Sequence, residues 1–197
     1  GYINVAGLDE VGRGPLAGPV VASCVVVLGE DQIVEGVKDS KKMTEKRREE
    51  AFEKIKEKSA GYGVGIIDNE RIDEIGIRYA VREAMIDAIY NMVKEFKIDP
   101  NYLIADGGIL LIDDYEMRSI VRGDMYHYSI SAASVLAKVT RDRIMKEYAV
   151  KYPDYGFESH VGYGTKKHIE AIYKYGITDI HRKSFEPIKS LVYNSKD

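Results

Sequence analysis

"GLDEVGRGPLAGPVVA", residues 7–22, sets two adjacent carboxylates, Asp9 and Glu10, at the end of an apolar run and follows them with an arginine between two glycines. Upstream, "YINVAGLD" (residues 2–9) is apolar and β-prone. Downstream, "GPVVASCVVVL" (18–28) is an almost continuous β-branched run. Both read as strands, the second as a buried one. The glycines and Pro15 between them suit a turn, which predicts an antiparallel pair. Further strands are expected at 60–68, 101–108 and 117–124. Residues 29–43 and 152–165 read as loop. Thr44 is a candidate N-cap for a charged helix over 45–58. From Gly76 to Phe96, Ala80, Val81, Ala84, Ala88, Ile89 and Met92 recur at helical spacing and mark one buried face. Helices are also expected at 129–150, at 166–175 and at the C-terminal end. Strands first, then strands alternating with helices, predict an α/β fold with a mixed central sheet flanked by helices.

The chain has 197 residues, 45% of them hydrophobic, which is enough for one domain with an ordinary core. Lys and Arg (29) nearly balance Asp and Glu (32), for a net charge of −3. That balance does not advertise a nucleic-acid binder, but phosphates respond to local clusters and not to the sum. Cys24 is the only cysteine, so no disulfide can form within the chain, and it reads as a small buried residue. No apolar run reaches the ~18 residues needed to span a bilayer, and no signal peptide opens the chain. A soluble, cytoplasmic protein is expected.

Asp9, Glu10, Asp106 and Asp124 all fall at or just beyond the end of a predicted strand, where open α/β sheets hold their ligands. Carboxylates brought together repel one another and stay ionised around a cation. Hard oxygen donors suit Mg²⁺ or Mn²⁺. Two such ions about 4 Å apart can activate a water and stabilise a leaving oxygen in phosphodiester hydrolysis. Successive strand residues point to opposite faces, so Asp9 and Glu10 share a site only if the strand ends or twists there. The acids of "DNERIDE" (68–74) and "DDYE" (113–116) sit among polar residues and read as solvated.

Gly12, Arg13 and Gly14 form a bend whose glycines permit close approach of backbone to a ligand. Its N–H groups could meet a sugar hydroxyl or a phosphate, and Arg13 could grip a phosphate. "GYGVG" (61–65) looks like part of a dinucleotide fingerprint but lies inside a predicted strand, and it is discounted.

Seven blocks in order, "GLDEVGRGPLAGPVVA", "VKDSKKMTEKRR", "LIADGG", "RGD", "SAASVLAKVTRD", "GYGTKKH" and "HRKSFEP", resemble the ribonuclease HII family over nearly the whole chain. The resemblance implies a ribonuclease H-like fold and an endoribonuclease. It implies a metal site of Asp9, Glu10, Asp106 and Asp124 with two Mg²⁺ or Mn²⁺ ions. It also implies a 2′-hydroxyl reader made of Gly12, Arg13 and Gly14, and a stacking tyrosine, Tyr163, that senses an RNA–DNA junction. Cleavage would fall 5′ of a ribonucleotide, in duplex DNA or in hybrids, leaving a 3′-hydroxyl and a 5′-phosphate. A monomer acting on nucleic acid is expected, as one domain over 1–197 with residues from about 152 to 197 forming a substrate-binding segment. Tyr126 and Val161 stand where the family commonly has lysines, which removes two cations near the site and leaves the acids untouched. A hybrid-only enzyme of the ribonuclease HIII type carries an extra N-terminal domain, whereas here the signature begins by residue 9. A catalytically silent ribonucleotide sensor would not need the full acid set.

Three basic clusters could track a duplex backbone: Lys38, Lys41, Lys42, Lys46, Arg47 and Arg48; Lys138, Arg141, Arg143 and Lys146; and Lys166, Lys167, Arg182 and Lys183. Asp142 reads as an ion-pair partner. His127, His160, His168 and His181 are too scattered for a zinc site without cysteines, and His160 and His181 read as structural.

Overall fold

β1 (Val5–Val11) and β2 (Val20–Val26) pair antiparallel, with Leu8 opposite Cys24 and Asp9 opposite Ser23. This is the first feature of the computed structural model, which describes residues 2–37, 40–108 and 111–194. Helix α1 (Glu45–Lys58) begins at Thr44, whose hydroxyl accepts the Arg47 N–H. β3 (Gly61–Ile67) adds antiparallel to β2. α2 (Asn69–Ile75) and α3 (Ile77–Phe96) follow, then β4 (Tyr102–Asp106) and β5 (Met117–Ile120). The short α4 (Gly123–Tyr126) leads into the long α5 (Tyr128–Lys151). α6 (Phe157–His160), α7 (Lys166–Tyr175) and α8 (Ile188–Asn194) complete the chain. The sheet order is β3-β2-β1-β4-β5, with β1, β4 and β5 mutually parallel, so the expected mixed sheet is present. None of the described helices is long and apolar enough to cross a membrane.

α3 covers one face of the sheet. Ala80, Ala84, Met85, Ala88 and Met92 pack there on Leu8, Ala22, Cys24 and Leu103, all fully buried. Burying each large apolar side chain contributes about 1.5–3 kcal/mol. α5 and α1 cover the other face through Val25, Phe52, Ile55, Ala132, Val135 and Leu136. The "GYGVG" glycines serve this packing. A Cβ at Gly63 would lie 1.9 Å from the Ala88 carbonyl oxygen, and one at Gly65 1.9 Å from that of Ala84. Their missing side chains let α3 lie directly on β3.

A third cluster joins Leu16 and Ala17, just after the glycine–arginine bend, to Met145 of α5 and to Phe157, Ile172, Ile180 and Ile188. The C-terminal segment is thereby packed onto the loop between β1 and β2.

Three local expectations need correction. No helix is expected from the polar stretch 68–74, yet Asn69–Ile75 form α2, capped by Asp68, which accepts the Arg71 N–H at 2.8 Å, and ended by Gly76 at φ 82°. The strand expected over 117–124 stops at Ile120, because Arg122 at φ 57° turns the chain into α4. Within 152–165, residues 157–160 form the single turn α6.

Candidate active site

β1 and β4 run parallel with Leu8 beside Ala105, so Asp9 and Asp106, the next residues, sit at the same end of the central strands. Asp9 is only 8% exposed. Its Oδ1 accepts the Glu10 N–H at 2.8 Å, and its carboxylate is also hydrogen-bonded to Ser134 of α5. The Ser134 hydroxyl is 2.7 Å from that of Ser40, which ties the loop before α1 to the back of the site. Asp106 Oδ1 accepts the Gly123 N–H at 2.6 Å, and that bond docks α4, with Asp124, against the end of β4. The Ser131 hydroxyl donates to the Asp124 carbonyl at 2.6 Å and fixes α4 to α5.

Strand alternation sends Glu10 off the face opposite Asp9. Its Oε1 accepts from Arg13 Nη1 at 3.1 Å, and its Oε2 is buried with no hydrogen-bond partner among the described residues. Burial, then the neighbouring Glu10 charge, pushes the Asp9 carboxyl up to about 8. Burial also raises Glu10, against the pull of Arg13, and the Asp106 charge acts on both groups. The structure thus brings Asp9, Glu10 and Asp106 into electrostatic range and sets Asp124 one residue beyond the Gly123 anchor. It does not close them into a cage: among the described residues, no three acidic, histidine or cysteine side chains are gathered closely enough to hold an ion as they stand. Repulsion among like charges and the pairing of Glu10 with Arg13 account for the spread. The positions also differ from the sequence reading. Only Asp106 ends a strand; Asp9 and Glu10 lie inside β1, and Asp124 lies on α4.

Gly12 has φ 94°, and a Cβ there would lie 2.3 Å from Arg141 Nε. Gly14 faces Tyr163, since a Cβ on it would meet Tyr163 Cε1 at 3.5 Å. The bend and the tyrosine, far apart in sequence, therefore form one surface, with Tyr163 44% exposed on it. Beside Asp124, Lys42, Tyr126, His127 and Ser131 help line an open pocket of about 420 Å³. Val161, at φ 44°, gives its carbonyl to Arg141.

The model of one family, described as Ribonuclease HII, matches residues 6–188. The chain belongs to the ribonuclease HII family. It is 56% identical to the Ribonuclease HII of Clostridioides difficile (strain 630) over 185 residues, 94% of this chain and 71% of that one. It is 51% identical to that of Bacillus mycoides (strain KBAB4) over 192 residues, 98% of this chain and 72% of that one. The crystal structure of the ribonuclease H2 from Pyrococcus horikoshii OT3 superimposes with a TM-score of 0.79 at 26% identity, covering 98% of this chain and 99% of the other. This ribonuclease HII is accordingly an endonuclease and hydrolase with ribonuclease H activity and the ribonuclease H-like fold.

Much of this ribonuclease HII's basic surface is paired internally. Lys138 and Arg48 meet Asp142 at 2.6 and 3.8 Å, the ion-pair role read for that aspartate. Arg143 meets Glu49 and Glu53, and Lys146 meets Glu45, so α1 and α5 are laced together. Lys166 and Lys167 face Glu170 and Glu158. Lys38 and the side chain of Lys41 lie outside the described residues. Arg141 and Arg182 depart furthest from expectation. Both are fully buried and cannot track a duplex from where they sit.

Behind Tyr163 three histidines form a buried chain. His181 Nδ1 accepts the Thr178 N–H at 2.8 Å, so its proton is on Nε2, which donates to His168 Nε2 at 3.0 Å. His168 Nδ1 then donates to the Tyr163 carbonyl at 2.9 Å. The His160 ring stacks on that of His168, 4.5 Å between centroids, and its Nδ1 accepts the Gly162 N–H. Fixed partners set the tautomers of His168 and His181. Burial lowers both His168 and His181 from 6.5 to about 4. Their contribution to stability is therefore complete above pH 6.5, where the unfolded chain is also neutral. It falls as pH drops toward 4, because only the unfolded chain takes up the protons. Asp9, raised in the folded state, works in the opposite direction. The difference between wild type and His181→Gln removes that opposing contribution. The wild-type advantage in urea unfolding is expected to be largest above pH 6.5 and to shrink steadily toward pH 4. A pH-independent difference would contradict the assigned protonation states.

Proposed function

We propose that this ribonuclease HII cuts on the 5′ side of a ribonucleotide, in duplex DNA or in an RNA/DNA hybrid, leaving a 3′-hydroxyl and a 5′-phosphate. The observation that carries the reading is the surface made by Gly14 and Tyr163 directly beside the Asp9–Glu10 pair, to which Arg13 is already bonded. A bend with exposed backbone donors suits a 2′-hydroxyl, the group that separates RNA from DNA. A flat aromatic ring suits the deoxyribose that follows, since a 2′-hydroxyl there would crowd it.

Asp9, Glu10, Asp106 and Asp124 are the residues we assign to Mg²⁺ or Mn²⁺. The donor set is all hard oxygen, and the buried, unpartnered Glu10 Oε2 and the proton-retaining Asp9 fit a divalent cation as counter-charge. When bound, such a cation lowers the pKa of a water and offsets charge on the phosphate. The protein's own part is positioning. Gly123 N–H and Ser134 orient Asp106 and Asp9 from behind. Arg13, 45% exposed, can leave Glu10 for a phosphate without moving the backbone. Residues from about 152 to 197 supply the substrate-binding segment, because they carry Tyr163 and the described residues among them, including Phe157, Ile172, Ile180 and Ile188, pack on the loop that bears the bend.

The decisive experiment uses a labelled DNA duplex with a single ribonucleotide, with and without Mg²⁺, and maps the cut. A cut elsewhere than 5′ of the ribonucleotide, or one indifferent to added metal and to chelator, would refute the proposal. In the same assay Tyr163→Ala is expected to lose on the order of 100-fold in single-ribonucleotide incision and much less in hybrid degradation. Equal losses on the two substrates would remove Tyr163 from junction sensing.

A further inference from the structure

Two arginines are fully buried in this protein, Arg141 on α5 and Arg182 in the turn before α8. Buried guanidinium groups ordinarily sit against carboxylates. Here neither has a carboxylate within ion-pair distance among the described residues, and every hydrogen bond found for their side chains goes to a backbone carbonyl. Arg182 donates through Nη2 to Gly12 O at 2.6 Å, through Nη1 to Arg13 O at 3.0 Å, and through Nε and Nη2 to Gly18 O at 3.0 and 2.9 Å. Arg141 donates to Pro19 O at 2.8 Å, to Val161 O at 2.8 Å and to Ala17 O at 3.1 Å. Five of these six carbonyls belong to the β1–β2 loop. Burial costs both groups part of their basicity, lowering Arg141 to about 10 and Arg182 to about 9. A fold that buries two unpaired cations against one loop has that loop's carbonyls strongly oriented.

The orientation has a consequence on the other side of each peptide. In a trans peptide the carbonyl of one residue and the N–H of the next point in opposite directions. The Gly12 carbonyl points inward at Arg182, so the Arg13 N–H points away from it. The Arg13 carbonyl points inward as well, so the Gly14 N–H also points away. Neither amide donates to a backbone carbonyl among the described residues. Gly14, which lies against the exposed Tyr163 ring, carries the second of them. The turn that holds Arg182 is itself fixed by Asp73, whose carboxylate accepts the Lys183 and Ser184 N–H groups at 2.7 and 2.9 Å.

We propose that Arg182, supported by Arg141, is a positioning residue for ribonucleotide recognition: it draws the Gly12 and Arg13 carbonyls inward and thereby aims the Arg13 and Gly14 N–H groups at the substrate sugar and phosphate. The inference rests on the reading of residues 12–14 as the ribonucleotide-contacting bend. It adds the device that sets the bend's conformation, which lies about 170 residues away in sequence. Lysine cannot replace this arginine, because a point charge with three donors does not span carbonyls that a planar fork reaches together.

Arg182→Lys is the test, read in three ways. Hydrogen exchange of the 12–18 segment should quicken on the order of tenfold while β1 exchange stays unchanged. Single-ribonucleotide incision (kcat/KM) should fall about 100-fold, and affinity for an all-DNA duplex should stay within about twofold, since phosphate contacts supply it. Asp73→Ala, a change at a half-buried position that loosens the same turn, should move both readings in the same direction by a smaller factor; it decides the matter if Arg182→Lys does not fold. Folded variants with wild-type exchange in 12–18 and wild-type incision overturn the proposal. A wild-type enzyme that cuts all-DNA duplex as readily as one with a ribonucleotide overturns the sugar-reading assignment instead, and the exchange data then still report whether Arg182 orders the loop.

Discussion

Asp106→Asn is expected to lower cleavage on the order of a thousandfold while leaving duplex binding within about twofold of wild type. The substitution keeps the shape of the side chain. Its amide oxygen can still accept the Gly123 N–H that Asp106 Oδ1 accepts at 2.6 Å, so α4 and Asp124 stay docked. What is lost is one full negative charge next to Asp9 and Glu10, both already held toward their protonated forms by burial first, Asp9 further by the Glu10 charge, and both by the Asp106 charge itself. Removing that charge relieves repulsion, so the folded state should be as stable as wild type or more so, and a thermal melt checks this. A cation, in contrast, loses a ligand and a counter-charge together. Single-turnover cleavage and a separate equilibrium binding measurement separate the two effects. Near-normal turnover in this variant would remove Asp106 from the active site and take the four-acid assignment with it.

Gly63→Ala is expected to destabilise the fold by about 3 kcal/mol. Its new methyl group would stand 1.9 Å from the Ala88 carbonyl oxygen and 2.8 Å from the Met92 nitrogen, both backbone atoms of α3 that no rotamer change can move. The helix must lift from the sheet, and the packing of Met85, Ala88 and Met92 on Cys24 and Leu103 opens with it. Gly108→Ala is the control, because nothing among the described residues lies within 4 Å of a Cβ there. Its effect should stay within about 0.5 kcal/mol. Urea midpoints with unchanged m-values report the difference. Equal midpoints for the two variants would mean that α3 does not rest on β3 as described.

The comparison of these two positions shows where sequence is legible. α1 was legible from its threonine cap, Thr44, and both α1 and α7 lie where helices are expected, whereas the Thr165 cap of α7 is seen only in the structure. β2 and the buried face of α3 were equally plain from apolar pattern. α2 was missed, since its seven residues are mostly polar and its cap, Asp68, reads equally well as a loop acid. The four acids could be named from position and resemblance, yet their exact places could not. A strand's end is set by its neighbours' hydrogen bonds, and β1 runs on to Val11 because β2 supplies partners as far as Val21. The histidines read as structural are so, and their tautomers follow only from partners that the chain brings together on folding.

Pattern and composition therefore determined the mixed sheet, its antiparallel opening pair, the helices that cover it, and the residues with the chemistry for phosphodiester hydrolysis. Those are local properties, written into spacing over a few residues at a time. Only the tertiary structure decided that Arg141 and Arg182, indistinguishable in sequence from surface cations, are the buried donors behind the glycine–arginine bend, and that Gly14 meets Tyr163. The reason is physical. Whether a guanidinium faces water or three carbonyls depends on which distant segments pack around it, and no periodicity along the chain encodes that.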